Sequence, residues 1–167
     1  MQPRLLAIIA LAASLGAAGC HSAPKQADVA AMTQTAQAVD ALRAAYAAFN
    51  RGDLDAAVAS FDPQIEWTEP AEFPGGGAYH GRDAVKQYLA QSRAGAAQVI
   101  SRPEQFIAVR DKIVVFVFAR VLPKDSSEWK TIRLADVYTI RDGKIVAMHA
   151  FANRDEALRW AEAKTSD

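Results

Sequence analysis

The sequence predicts an α+β domain in which a curved antiparallel sheet wraps around three N-terminal helices. In the first half of the chain, apolar residues recur at helical spacing. In the second half, long apolar runs alternate with short turns, so a meander of strands follows the helices. The length of 167 residues suits a single domain, and a hydrophobic content of 51% supplies its core.

The three helices are predicted from their apolar stripes and from the residues at their ends. Their approximate ranges are 35–50, 54–61 and 84–94. Gly52 suits the left-handed position after the first helix, and Asp53 has the side chain of an N-cap for the second. We expect Pro63 to end the second helix and Asp83 to cap the third.

The strands are predicted from apolar runs that are bounded by turn residues. Their approximate ranges are 65–68, 99–109, 113–122, 129–141 and 144–152, and a closing helix covers about 155–163. Pro103 has no backbone N–H to donate, which predicts an edge strand or a bulge. Turns are expected at Asp111–Lys112 and at Asp142–Gly143, and Asp-Gly between two apolar runs is a strong hairpin signal.

The first twenty residues have the pattern of a bacterial export signal. Arg4 precedes an apolar, alanine-rich run that is too short for a confident membrane span. Small residues then lead to Cys20, the single cysteine of the chain, and resemble the acylation site of a lipoprotein. An ordinary secretory peptide with an incidental Cys20 is the alternative. The predicted division is a signal peptide (1–19), a lipidated cysteine with a tether (20–34) and a domain (35–163).

A lipidated Cys20 would hold the protein on a membrane surface without a spanning helix. His21 stands where an aspartate often signals retention at the inner membrane, so we expect a periplasm-facing lipoprotein of the outer membrane. The formal net charge of zero provides no basic excess for nucleic acid. The three histidines are far apart and show no ligand spacing, so neither a metal nor another cofactor is expected.

Several motifs resemble those of the ketosteroid isomerases and the SnoaL-like polyketide cyclases, which share the cone fold of nuclear transport factor 2. These motifs are the Phe49–Asp55 turn between two helices, the strand end Trp67–Pro70, Asp136, and the Asp142–Lys144 turn. The resemblance covers about residues 36–160. It implies a cavity for a small apolar molecule between helices and sheet, with acid–base isomerase or cyclase chemistry on a carbonyl compound.

Glu69 is the first candidate for catalysis because it lies at the end of a strand, directly before Pro70. In the isomerases, an aspartate at the corresponding position is the general base that moves a proton between two carbons of an enone. The resemblance therefore implies that Glu69 is the base. A surface glutamate at a strand end is the alternative.

Asp136 is the second candidate because it is the acidic residue of an otherwise apolar strand face. Alternation places four further residues on that face: Ile132, Leu134, Tyr138 and Ile140. A carboxylate in such a place is unfavourable unless it is protonated or paired. In the isomerases, the matching aspartate is held neutral and donates a hydrogen bond to the oxyanion. A buried acid paired with an arginine, such as Arg120 or Arg133, is the alternative.

Tyr46 and His149 are expected to assist. The isomerases carry a tyrosine on the first helix at the position of Ala45, and Tyr46 lies one step along the helix. The sequence leaves open whether the Tyr46 hydroxyl reaches the same point. His149 shares a predicted strand face with Ile145 and Phe151, and it is either a core residue or an acid–base group of the cavity.

Five aromatic residues are predicted to line the cavity: Trp67, Phe73, Tyr79, Phe116 and Phe118. Three classes of function remain open on the sequence. They are an acid–base enzyme, a protein that holds a small hydrophobic molecule without transforming it, and an interaction domain that forms a homodimer. For the homodimer, an apolar stripe of Val146, Met148 and Ala150 on the last strand is the candidate contact.

Overall fold

A computed structural model describes residues 26–163 of the chain, which contain four helices and six strands. The helices are α1 (Gln26–Arg51), α2 (Leu54–Val58), α3 (Arg82–Ala94) and α4 (Arg154–Glu162). The strands are β1 (Phe61–Glu69), β2 (Gly77–His80), β3 (Ala96–Val109), β4 (Lys112–Pro123), β5 (Lys130–Arg141) and β6 (Lys144–Phe151). The predicted signal peptide, Cys20 and the start of the tether lie outside the described residues.

One curved, unclosed sheet of six strands organises the domain, in the order β2-β1-β6-β5-β4-β3. Neighbouring strands are antiparallel except for β1 and β6, which run parallel. The helices α1, α2 and α3 pack on the inner face of the sheet, and α4 packs on the outer face. The predicted α+β class, with helices before a meander of strands, is confirmed.

The helix α1 begins at Gln26, well before the predicted start at Thr35, so the predicted tether is helical over residues 26–34. These residues are rich in alanine, which favours a helix without any packing partner. The side chains that can be described there are exposed, so this part of the helix packs against no core. A helix without a buried side does not need the apolar stripe from which helices are predicted in a sequence. No helix in the described range is both long enough and apolar enough to cross a bilayer.

The boundary between α2 and β1 differs from the prediction. Asp53 caps α2 as predicted, since its carboxylate accepts a hydrogen bond from the Ala56 amide at 3.1 Å. The helix nevertheless ends at Val58, and Pro63 lies inside β1 instead of ending the helix. The strand tolerates the missing donor of Pro63 because its pairing with β6 is irregular at this point.

The helix α3 begins after Gly81, which corrects the predicted cap at Asp83. Gly81 has a φ of 83°, a left-handed conformation that glycine adopts without strain. No side chain caps α3, and Asp83 lies in its first turn, where a carboxylate interacts favourably with the helix dipole. The predicted loop before α3 contains the short strand β2, which pairs with the end of β1.

Two predicted features of the meander are confirmed. Pro103 lies on the edge strand β3, and the pairing of β3 with β4 shifts register beside it. Asp142 and Gly143 have positive φ values of 51° and 75°, as a two-residue type I′ hairpin requires. The turn before β4 lies one residue earlier than predicted, at Arg110–Asp111, because Lys112 already pairs within the sheet.

A one-residue bulge in β6 decides which residues of that strand face inward. Ile140 of β5 pairs with Ile145, whereas the residue before Ile140 pairs with Ala147, so Val146 is an extra residue on β6. The bulge shifts the alternation, and Ile145 therefore contributes to the same core as Met148. This core on the inner face surrounds the cavity described below.

Candidate functional site

A cavity of about 470 Å³ lies between the inner face of the sheet and the first three helices. Aromatic residues form much of its wall: Tyr46, Phe49, Phe61, Trp67, Phe73, Tyr88 and Tyr138. Glu69 and Asp136 are the charged residues of the wall. Within residues 26–163, no group of three or more His, Cys, Asp or Glu side chains is arranged to hold a metal ion.

Asp136 is at the end of a chain of hydrogen bonds that runs through two tyrosine hydroxyls. The Tyr46 hydroxyl donates a hydrogen bond to Asp136 Oδ2. The Tyr138 hydroxyl in turn donates to the Tyr46 oxygen at 3.1 Å. Asp136 and Tyr138 alternate inward on β5, while Tyr46 reaches them from α1. The Tyr46 hydroxyl therefore does point into the cavity, and its partner there is the Asp136 carboxylate.

The environment of Asp136 favours its neutral form. Burial is the main cause that raises the pKa of Asp136 to about 7, and the negative charge of Glu69 adds to the rise. The hydrogen bond from Tyr46 acts in the opposite direction because it stabilises the carboxylate. The pKa values of Tyr46 and Tyr138 lie well above their ordinary range, mainly because of burial, so both hydroxyls remain protonated.

Glu69 ends β1 and is only 9% exposed, so it is a buried cavity residue and not a surface glutamate. Trp67 lies two residues earlier on the same side of β1, and its indole Nε1 donates to Glu69 Oε1 at 2.8 Å. Burial raises the pKa of Glu69, while hydrogen bonding from Trp67 and Tyr88 lowers it in part. The carboxylate is thus held by neutral donors, and among the described residues no cationic side chain of the cavity wall pairs with it.

The hydroxyls of Tyr88 and Tyr138 also belong to the site, although the sequence patterns single out neither residue as a candidate; alternation places Tyr138 only on the same strand face as Asp136. A buried tyrosine needs a hydrogen-bond partner, and that requirement is the one signal for them in the sequence. Burial, followed by the neighbouring Glu69 charge, raises the pKa of Tyr88 far above its ordinary value. Tyr88 therefore stays protonated beside Glu69.

The loop between β1 and β2 brings Phe73 to the cavity, as predicted. This loop folds back tightly: the Gly76 amide donates to Phe73 O at 2.8 Å, and a Cβ on Gly76 would lie 2.1 Å from Pro70 O. Tyr79 is not in the cavity wall, which corrects its predicted place. Its ring packs behind Tyr88 with centroids 4.6 Å apart, and its hydroxyl donates to a carbonyl of the same loop.

His149 lies on the outer face of the sheet, so of its two alternatives the acid–base group of the cavity is wrong. Its ring stacks on Trp160 of α4 at 5.2 Å between centroids and contacts Phe151 at 4.6 Å. The bulge at Val146 is the reason, since unbroken alternation from Ile145 would turn His149 inward. Burial lowers the pKa of His149, which favours its neutral ring.

Phe116 and Phe118 also lie on the outer face, so their predicted place in the cavity is wrong. Their register partners on β5 are Ala135 and Arg133, which point away from Asp136. Val117, between them, contributes to the cavity wall instead. No residue of β4 is fully exposed, and an apolar run without polar alternation does not reveal which of its residues point inward.

The apolar stripe that was the candidate dimer contact is not on the surface. Met148 and Ala150 are each 2% exposed and pair across the sheet with Tyr138 and Asp136 on the inner face. Val146 is the bulge residue and does not continue their line. The same shift of alternation that moves His149 outward therefore buries the stripe.

Two hydrogen-bonding side chains fix the distance between the helix wall and the sheet wall of the cavity. The Asn50 amide donates to Ser101 O and accepts from Ser101 N, both at 2.8 Å, which ties the end of α1 to the edge strand β3. Arg93 of α3 donates to Phe49 O of α1 at 2.8 Å and to Val99 O of β3 at 3.5 Å. Phe49 and Ser101 both line the cavity, so these bonds set its width at this end.

Comparison with known proteins gives both a family and a fold. A sequence model of the SnoaL-like domain matches residues 42–148 of the chain. No curated protein sequence matches it significantly. Among solved structures, TerC co-crystallised with polyporic acid is 25% identical at a TM-score of 0.63, and the alignment covers 76% of this chain and 99% of TerC.

Two further structures share the architecture. An NTF2-like protein of unknown function from Burkholderia pseudomallei is 26% identical at a TM-score of 0.63, over 76% of this chain and 98% of that protein. A hypothetical protein from Catenulispora acidiphila with a ketosteroid isomerase-like fold, in complex with trimethylamine, is 15% identical at a TM-score of 0.60. That alignment covers 66% of this chain and 83% of the other, and it bears on the fold alone. The predicted cone-shaped fold is confirmed.

Proposed function

The chain belongs to the SnoaL-like domain family, and from this premise we propose that its cavity binds a small apolar carbonyl compound and moves a proton within it. The observation that carries the proposal is the pair of carboxylates, Glu69 and Asp136. They face one largely apolar cavity, and the pKa of each is raised above its ordinary value. Carboxylates perturbed in this way are typical of acid–base sites.

In the proposed reaction, protonated Asp136 donates a hydrogen bond to the carbonyl oxygen of the substrate. Tyr46 donates to Asp136 Oδ2, which leaves the other carboxyl oxygen free to face the substrate. Tyr138 supports this arrangement by donating to Tyr46. A single donor to a developing oxyanion typically contributes about 3 kcal/mol of transition-state stabilisation.

Ionised Glu69 acts as the base. It removes a proton from the carbon next to the carbonyl, and the electron pair of that C–H bond moves toward the carbonyl to form an enolate. The enolate oxygen accepts the hydrogen bond from Asp136. Protonated Glu69 then returns the proton to another carbon of the conjugated system, so the substrate is isomerised and the protein is unchanged.

The composition of the cavity wall favours a neutral ligand. The cavity volume of about 470 Å³ lies in the range of small-molecule sites, and aromatic side chains form much of the wall. No lysine, arginine or histidine of the described residues lines it, so an anionic ligand would find no counter-charge. TerC, at 25% identity, was co-crystallised with polyporic acid, which supports a bound ligand for a protein of this fold.

The test uses the full chain in a non-ionic detergent with a β,γ-unsaturated ketosteroid, and it follows the absorbance of the conjugated enone. We expect Glu69→Gln and Asp136→Asn each to lower the rate by about 10²-fold or more. Glu66→Gln is the matched control, because Glu66 lies on the same strand but is exposed. An unchanged rate in both cavity variants would contradict the proposal.

Tryptophan fluorescence measures steroid binding in the same samples. Binding that persists in Glu69→Gln, with no turnover in any sample, would favour the second function that the sequence leaves open, a non-catalytic binding protein. If the unaltered chain neither binds nor turns over the steroid, this class of ligand is excluded.

We also propose that the protein is an outer-membrane lipoprotein that faces the periplasm and is anchored through Cys20. The support is the apolar run and the small residues before the single cysteine, followed by His21. The helical part of the tether, residues 26–34, would then add about 13 Å between the anchor and the domain. Cys20→Ala should abolish labelling by palmitate and release the protein from the membrane fraction, and retained labelling would overturn the anchor.

A further inference from the structure

The outer face of the sheet carries arginines over aromatic rings. Arg102, Phe118 and Arg133 are register partners across β3, β4 and β5. Both guanidinium carbons lie close to the Phe118 ring, at 5.2 Å and 5.1 Å from its centroid. Beside this row, Arg120 lies over Trp129 at 4.4 Å. We call these five residues the arginine face.

The arginine face concentrates positive charge on a chain whose formal net charge is zero. Glu104 pairs with Arg102 at 3.4 Å, and it also pairs with Arg154 at 2.8 Å. Within residues 26–163, no ion pair involves Arg120 or Arg133. Since Arg102 and Arg133 both lie over one ring, their charges are at most about 10 Å apart, a distance comparable with the Debye length at physiological salt. An anion that contacts both guanidinium groups relieves their repulsion.

The arginine face flanks the mouth of the cavity. Each of its three arginines is next in sequence to a residue of the cavity wall: Ser101, Val121 and Ile132. Neighbouring residues of a strand point to opposite faces, so the arginines and the cavity wall are two sides of the same strands. Ile132 is 38% exposed, which marks the open side of the cavity. A partner on the arginine face would therefore lie beside the opening.

We propose that the arginine face docks an acidic protein segment beside the cavity mouth, in position to deliver or collect the ligand of the cavity. The guanidinium fork suits carboxylates, which it binds through two parallel hydrogen bonds. Stacking on Phe118 and Trp129 holds these forks in place before the partner arrives. The docking does not depend on the proposed reaction, so either can fail without the other.

Two other occupants fit the face less well. A two-fold contact with a second copy would set arginines against arginines. A membrane surface would lie on the side of the proposed anchor, and the arginine face does not lie on that side. The helix α1 passes Phe106, on which Arg43 lies, before it reaches Ser101, so its N-terminus and the proposed anchor point away from the arginine face.

The test measures binding of fluorescent poly-L-glutamate to the full chain in non-ionic micelles. We expect the triple variant Arg102→Gln, Arg120→Gln, Arg133→Gln to bind at least about tenfold more weakly. The matched control replaces three exposed arginines elsewhere with glutamine: Arg51, Arg141 and Arg159. It should bind within about threefold of the unaltered chain, since rim and distant charges mainly change long-range attraction.

A second readout does not depend on the folding of any variant. Amide chemical shifts of the unaltered chain should move around Phe118 and Arg133 when poly-L-glutamate is added, and the movement should weaken with salt. Equal losses in the two triple variants would overturn the proposal. So would shifts that appear only when the micelles are doped with phosphatidylglycerol, which would indicate a membrane surface. Self-association that the arginine-face variant abolishes would likewise overturn it, in favour of a second copy.

Discussion

Tyr46 and Asp136, which are 90 residues apart in sequence, are joined by a hydrogen bond from the phenol to the carboxylate. This bond connects the first helix to the fifth strand across the cavity. The phenols of Tyr46 and Tyr138 stay protonated, whereas the pKa of Asp136 is about 7. Asp136 is therefore the member of this group whose charge changes near neutral pH.

The titration of Asp136 should respond in opposite directions to changes at its two neighbours. Glu69→Gln removes a negative charge, so the pKa of Asp136 should fall. Tyr46→Phe removes a hydrogen bond to the carboxylate, so the pKa should rise. Carboxyl ¹³C shifts recorded across the pH range measure both effects. Movement in the same direction in both variants would show that the two contacts do not control Asp136.

Asp136→Asn should make the domain more stable in alkaline solution. The folded protein holds a proton on Asp136 more tightly than the unfolded chain does, so this group stabilises the fold at low pH. That contribution is lost as the pH rises from about 4 through about 7. Urea unfolding at pH 8 should favour the asparagine variant by about 4 kcal/mol, while the two chains should converge near pH 4. A difference that stays constant with pH would refute the explanation.

Leu42→Ala tests the packing of the inner core. Leu42 on α1 is fully buried, so truncation removes apolar contacts and leaves a void beneath the sheet. We expect the free energy of unfolding to fall by about 2–5 kcal/mol in urea titrations. Met32→Ala on the same helix is the control, because Met32 is 71% exposed and its loss should change stability by less than about 0.5 kcal/mol.

Asn50→Ala should loosen the edge strand from α1. The substitution removes both hydrogen bonds to the backbone of Ser101, at a cost of about 1–3 kcal/mol. Hydrogen exchange at the Ser101 amide should accelerate more than exchange in the central strand β5. Gln37→Ala, which truncates an exposed amide on the same helix, should leave that exchange rate unchanged.

Asn153→Ala should destabilise α4. The side-chain Oδ1 of Asn153 accepts from the amides of Asp155 and Glu156 at 2.9 Å and 3.1 Å, and an N-cap of this kind contributes about 1 kcal/mol. Thermal unfolding followed by circular dichroism should show a lower midpoint. Asn153→Asp keeps an acceptor at the cap, so its midpoint should match that of the unaltered chain. Equal losses in both variants would indicate a role other than capping.

Local patterns are sufficient to predict the wall that carries Asp136. Polar residues such as Arg133 alternate with apolar ones on β5, so the inward positions can be read directly. Trp67 and Glu69 follow the same rule on β1, since residues two apart share a face. The strand β4 has no such contrast over its apolar run, and Phe116 therefore cannot be distinguished in the sequence from an inward residue.

Contacts between distant segments are beyond such patterns. Tyr88 reaches Glu69 because α3 packs across the end of β1, and Asn50 reaches Ser101 because α1 ends beside the edge strand. Neither spacing nor periodicity encodes these pairings. The early start of α1 is missed for a different reason: its first residues form a helix by intrinsic preference and have no core to face.

The bulge at Val146 also bears on how site residues are carried from one relative to another. If Val146 were deleted, Ile145 and Ala147 would pair with consecutive residues of β5, and Met148 would still face inward. An aligned sequence with one residue fewer at this point therefore keeps the same wall. An alignment that places the gap after Ala150 instead would match His149 to an inward residue of the relative. On this strand, the count of residues before a position determines its environment more than the amino acid found there.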